Sequence, residues 1–420
     1  MTLHYEDAGL RLFHGSNRDI LPTLPDASYD SIVTDPPYEL GFMGKGWDST
    51  GIAYDVEVWR ECFRVLKPGG YLLSFGGTRT WHRIATAIED AGFEIRDSIA
   101  WLYGSGFPKS LDVSKQIDKL AGATREPGAP ARDRVSHMRN ERYASGRAGF
   151  SAEKGTKLAA ETGDPVTDDA RTWQGWGTAL KPAFEPIIVA RKPFAGTVAA
   201  NVLAHGTGAI NIDATRVQTF SDGPGSTPRA KDGGKRSAMA GDMDRTEYDG
   251  SKGRFPSNVL LDQSQAAELD RQAPDTGGAG KASGPSLREP TGAGVAFGAR
   301  RGLVGDPAFY GDRGGASRFF PTFKYEAKAP GSERPTVDGV AHATVKPLDL
   351  MRWLVRLVTR PGGRVLDLFA GSGTTGEAAL LEGMEVDLIE LEAAHLPLIL
   401  ARVRKPLQTS LLGGWEGGAA

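Results

Sequence analysis

Short apolar, β-branched runs bounded by turn residues predict strands at 29–35 (YDSIVTD), 69–75 (GGYLLSF), 93–103 (FEIRDSIAWLY) and 185–191 (EPIIVAR). Between them, 56–66 and 80–92 carry apolar residues at helical spacing. The alternation returns at the other end of the chain. A helix with an apolar stripe is predicted over 348–359, stopped by Pro361-Gly362-Gly363 and followed by a strand over 364–371, a helix over 374–383 and a strand over 385–392. Strands and helices in alternation with short turns predict an α/β fold, a mostly parallel sheet covered by helices on both faces.

The middle of the chain breaks this rhythm. Residues 219–254 have almost no hydrophobic periodicity, and 271–318 are dominated by Gly, Ala, Ser and Pro, so both predict long irregular loops. The chain therefore divides into an α/β half over 1–108, a loop-rich insert over 109–334 and a second α/β half over 335–420. Residues 173–194 are expected to return from the insert to the core.

Length and composition sharpen the picture. With 420 residues the chain has room for two or three domains. A single Cys excludes a disulfide scaffold and a Cys-based zinc site, and it fits a reducing cytoplasm. The seven His form no ligand-spaced cluster, so no metal is expected. No apolar run reaches the ~18 residues of a membrane span, and the mixed, acidic start does not fit a secretory leader.

The formal net charge of −2 conceals an uneven distribution. Residues 1–108 hold 9 Lys/Arg against 15 Asp/Glu, residues 109–328 hold 32 against 26, and residues 329–420 hold 9 against 11. A basic insert between acidic flanks is the pattern of a chain in which one module meets phosphates; a solvated surface or a linker gives the same counts.

Two motifs carry chemistry. Asp35-Pro36-Pro37-Tyr38 follows an apolar strand, where ligands of a parallel sheet bind. The two prolines stiffen the loop, which offers a carboxylate, a carbonyl oxygen and an aromatic face. That set suits an amino group on a planar ring, while an ordinary turn is the plainer reading. The second motif, Asp367-Leu368-Phe369-Ala370-Gly371-Ser372-Gly373-Thr374-Thr375-Gly376, runs from a strand through a glycine turn into a helix. Its glycines let a ligand approach backbone N–H groups, and Glu390, 19 residues after Gly371, can take two ribose hydroxyls. Alone, this motif fits S-adenosylmethionine or a dinucleotide.

Together, DPPY and DLFAGSGTTGEAA resemble the DNA amino-methyltransferases that modify N6 of adenine or N4 of cytosine. The DPPY motif comes first and a long insert separates the two, which is the order of the β class. Val345-Lys346-Pro347-Leu348-Asp349-Leu350-Met351, the LKPGGYLL run from Leu66 and Lys181-Pro182-Ala183-Phe184-Glu185-Pro186 look like further family segments. The resemblance implies a Rossmann-like, circularly permuted methyltransferase domain with a DNA-recognition insert.

It also implies roles. Asp35, Pro36, Pro37 and Tyr38 would be catalytic, with Asp35 and the Pro36 carbonyl accepting the hydrogens of the target amine and Tyr38 stacking on the flipped base. Asp367, Phe369, Ala370, Gly371, Ser372, Gly373, Thr374, Thr375 and Glu390 would hold S-adenosylmethionine, with Lys346 at its methionine end. Family members carry Gly-Asp near the start; here Gly15-Ser16-Asn17 stands there, so Ser16, or else Asp19, would meet the cofactor's adenine. Double-stranded DNA is the implied partner, and Lys109, Lys115, Arg125, Arg132, Arg134, Arg139, Arg142 and Arg147 are the phosphate candidates. Trp173 and Trp176 suit either stacking on DNA or anchoring a loop. Asp in the first position of DPPY points to adenine. The alternatives are an N4-cytosine enzyme, an RNA or protein-glutamine methyltransferase, and a DNA-binding module without activity. A homodimer and a cognate restriction endonuclease are compatible with the family.

Overall fold

The computed structural model describes residues 2–41, 46–104, 106, 110–126, 163–217, 253–273, 315–323, 335–337, 339–342 and 344–405. Two compact units divide the chain: Met1–Ser105 with Ala183–Ala420, and Gly106–Pro182.

The larger unit is built on a ten-stranded sheet. Its strands are β1 (Thr2–Asp7), β2 (Leu10–His14), β3 (Tyr29–Thr34), β4 (Leu66–Phe75), β5 (Glu94–Leu102), β6 (Phe184–Arg191), β7 (Val259–Asp262), β8 (Thr322–Phe323), β11 (Arg364–Asp367) and β12 (Glu385–Glu390), while β9 (Thr336–Val337) and β10 (Val340–Ala341) form a separate hairpin. The order across the sheet is β1-β2-β12-β11-β3-β4-β6-β5-β7-β8. β2, β12, β11, β3 and β4 pair in parallel, whereas β6 runs antiparallel to both its neighbours and β1 runs antiparallel to β2. Every predicted strand and helix of the two flanks is present, within a few residues of its expected ends.

Period-two alternation explains why helices cover both faces. Val33, Leu73, Ile187 and Val189 point into one core with the helices Leu348–Val358, Thr374–Leu381 and Leu396–Val403. Their chain neighbours Ile32, Leu72, Ile188 and Ala190 point into the other, against Val56–Val65 and Trp81–Asp90. Asp387 on β12 is fully buried and is held by Arg11, Arg364 and the Tyr29 hydroxyl, which ties β2, β11 and β3 together. Those partners satisfy a charge that would be costly to bury alone.

The structure divides the insert expected over 109–334. Residues Gly106–Pro182 form the second unit, while β6, β7 and β8 are strands of the main sheet. Residues 184–191 form β6 of the main sheet, and 173–182 belong to the second unit. β7 and β8 have four and two residues, too short for a periodic signal to show. The second unit packs the helix Val113–Leu120 against Asp168–Thr172 around Asp118, whose carboxylate accepts from the N–H groups of Val166 and Thr167, the Thr167 hydroxyl and Arg125.

Candidate active site

The carboxyl ends of β3, β4, β11 and β12 share one edge of the sheet, and because β6 runs the other way its first residues lie there too. That single reversal brings Glu185 beside the loop that follows β3.

Asp35-Pro36-Pro37-Tyr38 begins one residue after β3 ends. Thr80 clamps it by donating its hydroxyl to the Tyr38 carbonyl at 2.8 Å. A Cβ on Gly77 would come within 3.2 Å of the Tyr38 side chain, so the bare glycine lets this loop pack closely against Tyr38. The Tyr38 hydroxyl donates to Glu185 at 2.8 Å. Burial, followed by the charges of Asp35 and Glu185, raises the phenol well above its ordinary value, so it stays a proton donor.

Lys346 is the centre of the cluster. Its ammonium lies 2.5 Å from Asp35 Oδ2, 3.2 Å from the Tyr38 hydroxyl and 3.4 Å from Glu185, and it sits 4.7 Å from the centre of the Phe75 ring. Burial works against its charge, but Asp35 and Glu185 outweigh that and raise the ammonium above its ordinary value. The other oxygen of Asp35, Oδ1, is buried and makes no hydrogen bond. A buried unpartnered acceptor on a rigid loop invites an incoming N–H donor.

The glycine motif turns at the same edge. Gly371 and Gly373 have φ of +53° and +81°, and a Cβ on Gly373 would come within 3.2 Å of the Ile399 backbone. Glu390 ends β12 and accepts from the N–H groups of Gly371 at 2.7 Å and Glu392 at 2.8 Å, with the His395 ring at 3.2 Å. The ring of His342 packs against that of His395, at 4.7 Å between centres, and lies over Gly371. Ser372 is buried in the turn, Thr374 and Thr375 are buried at the start of the helix that follows it, and Phe369 and Ala370 precede it. Asp367 is buried and accepts from Thr34 and from the Phe369 N–H. Burial pushes its carboxyl up to about 6, against hydrogen bonds from Thr375, Thr34 and Phe369. It therefore fastens the turn to β3 from within the protein.

Gly15 joins this edge through its N–H to the Glu390 carbonyl, and the Ser16 hydroxyl caps the following short helix by accepting from Arg18 N at 3.3 Å. Asp19, the alternative to Ser16, is exposed. The acceptor oxygen of Asn17 is buried without a hydrogen bond. The glycine cradle, the Glu390 carboxylate and that orphaned acceptor suit a nucleoside with ribose hydroxyls and an amino-bearing ring.

The DNA-contact candidates divide. Lys115 is exposed. Arg125 is not free for a phosphate: its side chain is 10% exposed, pairs with Asp118 at 2.6 Å and donates to Ser114, so it holds the second unit together. Lys109, Arg132, Arg134, Arg139, Arg142 and Arg147 lie outside the described residues. Trp173 and Trp176 pack edge to face at 5.0 Å and remain 42% and 61% exposed. Among the described residues no group of three metal-ligating side chains occurs, and no helix is long and apolar enough to cross a membrane.

Glu185, Phe75 and His342 escaped the sequence reading. Glu185 lies in the quoted KPAFEP run, but a strand's residues do not disclose its direction, and only an antiparallel β6 places Glu185 at the site.

A family model described as DNA methylase, for N6 and N4 methylases, matches residues 29–401. The type II methyltransferase M.HpaI of Haemophilus parainfluenzae is 33% identical over 116 residues, 26% of this chain and 36% of that protein. M.HindIII of Haemophilus influenzae is 28% identical over 160 residues, 37% of this chain and 38% of that protein. The matched segments thus span little more than a third of these relatives. Among solved structures, the M1.HpyAVI–SAM complex aligns at a TM-score of 0.40 and 13% identity over 94% of this chain and all of that one. PvuII DNA methyltransferase (cytosine-N4-specific) aligns at 0.41 and 12% identity, over 94% of this chain and 86% of that one. With its family model running from Tyr29 through Ala401, the chain belongs to the N6/N4 DNA methylases.

Proposed function

We propose that this protein transfers a methyl group from S-adenosylmethionine to the exocyclic N6 amine of an adenine flipped out of double-stranded DNA at a specific sequence. The observation that carries this reading is the unpartnered Asp35 Oδ1 at the sheet edge where Glu390 and the glycine turn also lie. Gly371, Gly373 and Glu390 would hold the cofactor, with Ser16 and Asn17 toward its adenine. Bound there, S-adenosylmethionine supplies a methyl group on a sulfonium.

The protein's part is alignment and charge stabilisation. An exocyclic aromatic amine is a poor nucleophile because its lone pair is delocalised into the ring. Asp35 and the Pro36 carbonyl, accepting its two hydrogens, favour a pyramidal nitrogen and aim the lone pair. The Asp35 hydrogen bond strengthens as positive charge develops on nitrogen, so no strong base is required. Tyr38 offers its ring to the extruded base while Glu185 holds its hydroxyl.

Asp35 as the first residue of DPPY favours adenine; the family includes N4-cytosine enzymes as well. Duplex DNA incubated with methyl-labelled S-adenosylmethionine and digested to nucleosides should yield labelled N6-methyldeoxyadenosine. Labelled N4-methyldeoxycytidine would overturn the choice of base, and no labelled nucleoside from any duplex would overturn the activity.

A further inference from the structure

We propose that the Lys346 ammonium is a stand-in for the target amine, occupying Asp35 until a base arrives, and that Glu185 is the positioning residue that takes it over. The inference rests on the methyltransferase reading of this site and names how the site is kept ready and then cleared.

Three observations carry it. First, the ammonium crowds the place a target amine must reach: it is bonded to Asp35 Oδ2, beside the free Oδ1, and to the Tyr38 hydroxyl, with the Tyr38 and Phe75 rings 5.4 and 4.7 Å away. An exocyclic amine entering to hydrogen-bond Asp35 and stack on Tyr38 would need much of the same space. Second, one cation serves two carboxylates unequally, at 2.5 Å from Asp35 and 3.4 Å from Glu185. A full ion pair with Glu185 needs about 2.8 Å, a movement of roughly half an ångström toward it. Third, Glu185 also accepts the Tyr38 hydroxyl at 2.8 Å, so the residue that would receive the ammonium already orients the stacking ring.

The consequence is a charge-balanced exchange. Before the base enters, Lys346 neutralises Asp35 and fixes its rotamer. When the base enters, one of its N–H groups donates to Asp35 Oδ1, and the crowded ammonium shifts off Oδ2 toward Glu185, which is within reach. Without Glu185 the ammonium has no second anion and competes with the base for Asp35.

The test is a double-mutant comparison in the full chain, read as kcat on duplex DNA at saturating S-adenosylmethionine, with cofactor affinity and melting temperature measured on each variant. Glu185→Gln keeps the shape and the acceptor for Tyr38 but removes the charge; it should lower kcat between about ten- and one-hundredfold while cofactor affinity stays within about twofold. Adding Lys346→Met removes the competitor, so Glu185→Gln/Lys346→Met should be at least about tenfold more active than Glu185→Gln alone, a sign of coupling that a merely structural pair would not show. Lys346→Leu replaces Lys346→Met in the pair if the methionine variant does not melt cooperatively. A double variant no more active than Glu185→Gln, alongside an active wild type, overturns the exchange. A wild type that methylates no duplex overturns the methyltransferase reading and this inference with it.

Discussion

The ammonium of Lys346 and the carboxylate of Asp35 lie 2.5 Å apart although 311 positions separate them in the chain. That contact joins the two α/β flanks at their chemistry: the first flank brings the acceptor loop at the end of β3, and the second brings the lysine that precedes the glycine turn. The long excursion between them contributes Glu185, also within reach of the same ammonium. Three distant segments thus meet at one sheet edge.

Glu390 is expected to set cofactor affinity. Its two oxygens already hold the N–H groups of Gly371 and Glu392, so they are oriented for ribose hydroxyls. Glu390→Ala should weaken S-adenosylmethionine binding by about ten- to one-hundredfold, the loss of one or two charged hydrogen bonds. Isothermal titration calorimetry checks this, and an unchanged dissociation constant would remove Glu390 from the site.

Asp367 should leave a signature in stability against pH. Burial pushes its carboxyl up to about 6 in the folded protein, above its ordinary unfolded value. Between those values the folded chain keeps a proton that the unfolded chain has lost. The group's contribution to stability is therefore full below the unfolded value and is lost as pH rises through about 6. Asp367→Asn keeps an acceptor oxygen without the charge. The unfolding free energy of wild type relative to this variant should fall by about 3 kcal/mol from about pH 4 to about pH 7. Denaturant unfolding at a series of pH values measures it; a difference that is flat or rises with pH would contradict the assignment.

Arg125 and Lys115 should behave oppositely. Arg125→Ala removes the partner of the buried Asp118 and should lower the melting temperature by several degrees. Lys115 is exposed, and Lys115→Ala should leave stability unchanged while reducing the salt slope of DNA affinity by about one. Equal effects of the two on the salt slope would return Arg125 to the DNA-contact set.

Most of this architecture was legible because its signals are local. The runs 29–34, 66–75 and 385–390 carry clustered or alternating apolar residues such as Ile32-Val33, Leu72-Leu73 and Val386, Leu388, Ile389, and the helices between them repeat every three to four positions. The DPPY and glycine turns were legible because each directly follows such a strand. What stayed hidden depends on direction and distance. A strand's composition does not say that β6 runs against its neighbours, so Glu185 gave no sign of facing Asp35. The family resemblance points Lys346 to the cofactor's methionine end, and nothing near it in the chain points to Asp35. Arg125 looked like a phosphate ligand because Asp118, seven residues before it, reveals itself as its partner only once the helix Val113–Leu120 is folded.

The central claim is that Asp35 receives the target amine. It is tested most directly by single-turnover methyl transfer to duplex DNA with Asp35→Ala and wild type side by side, S-adenosylmethionine affinity being measured on the same preparations. Affinity should stay within about twofold while transfer falls by about one hundredfold or more, the scale of losing a preorganised partner of the developing charge. Transfer within about tenfold of wild type, a loss too small for such a group, would contradict it.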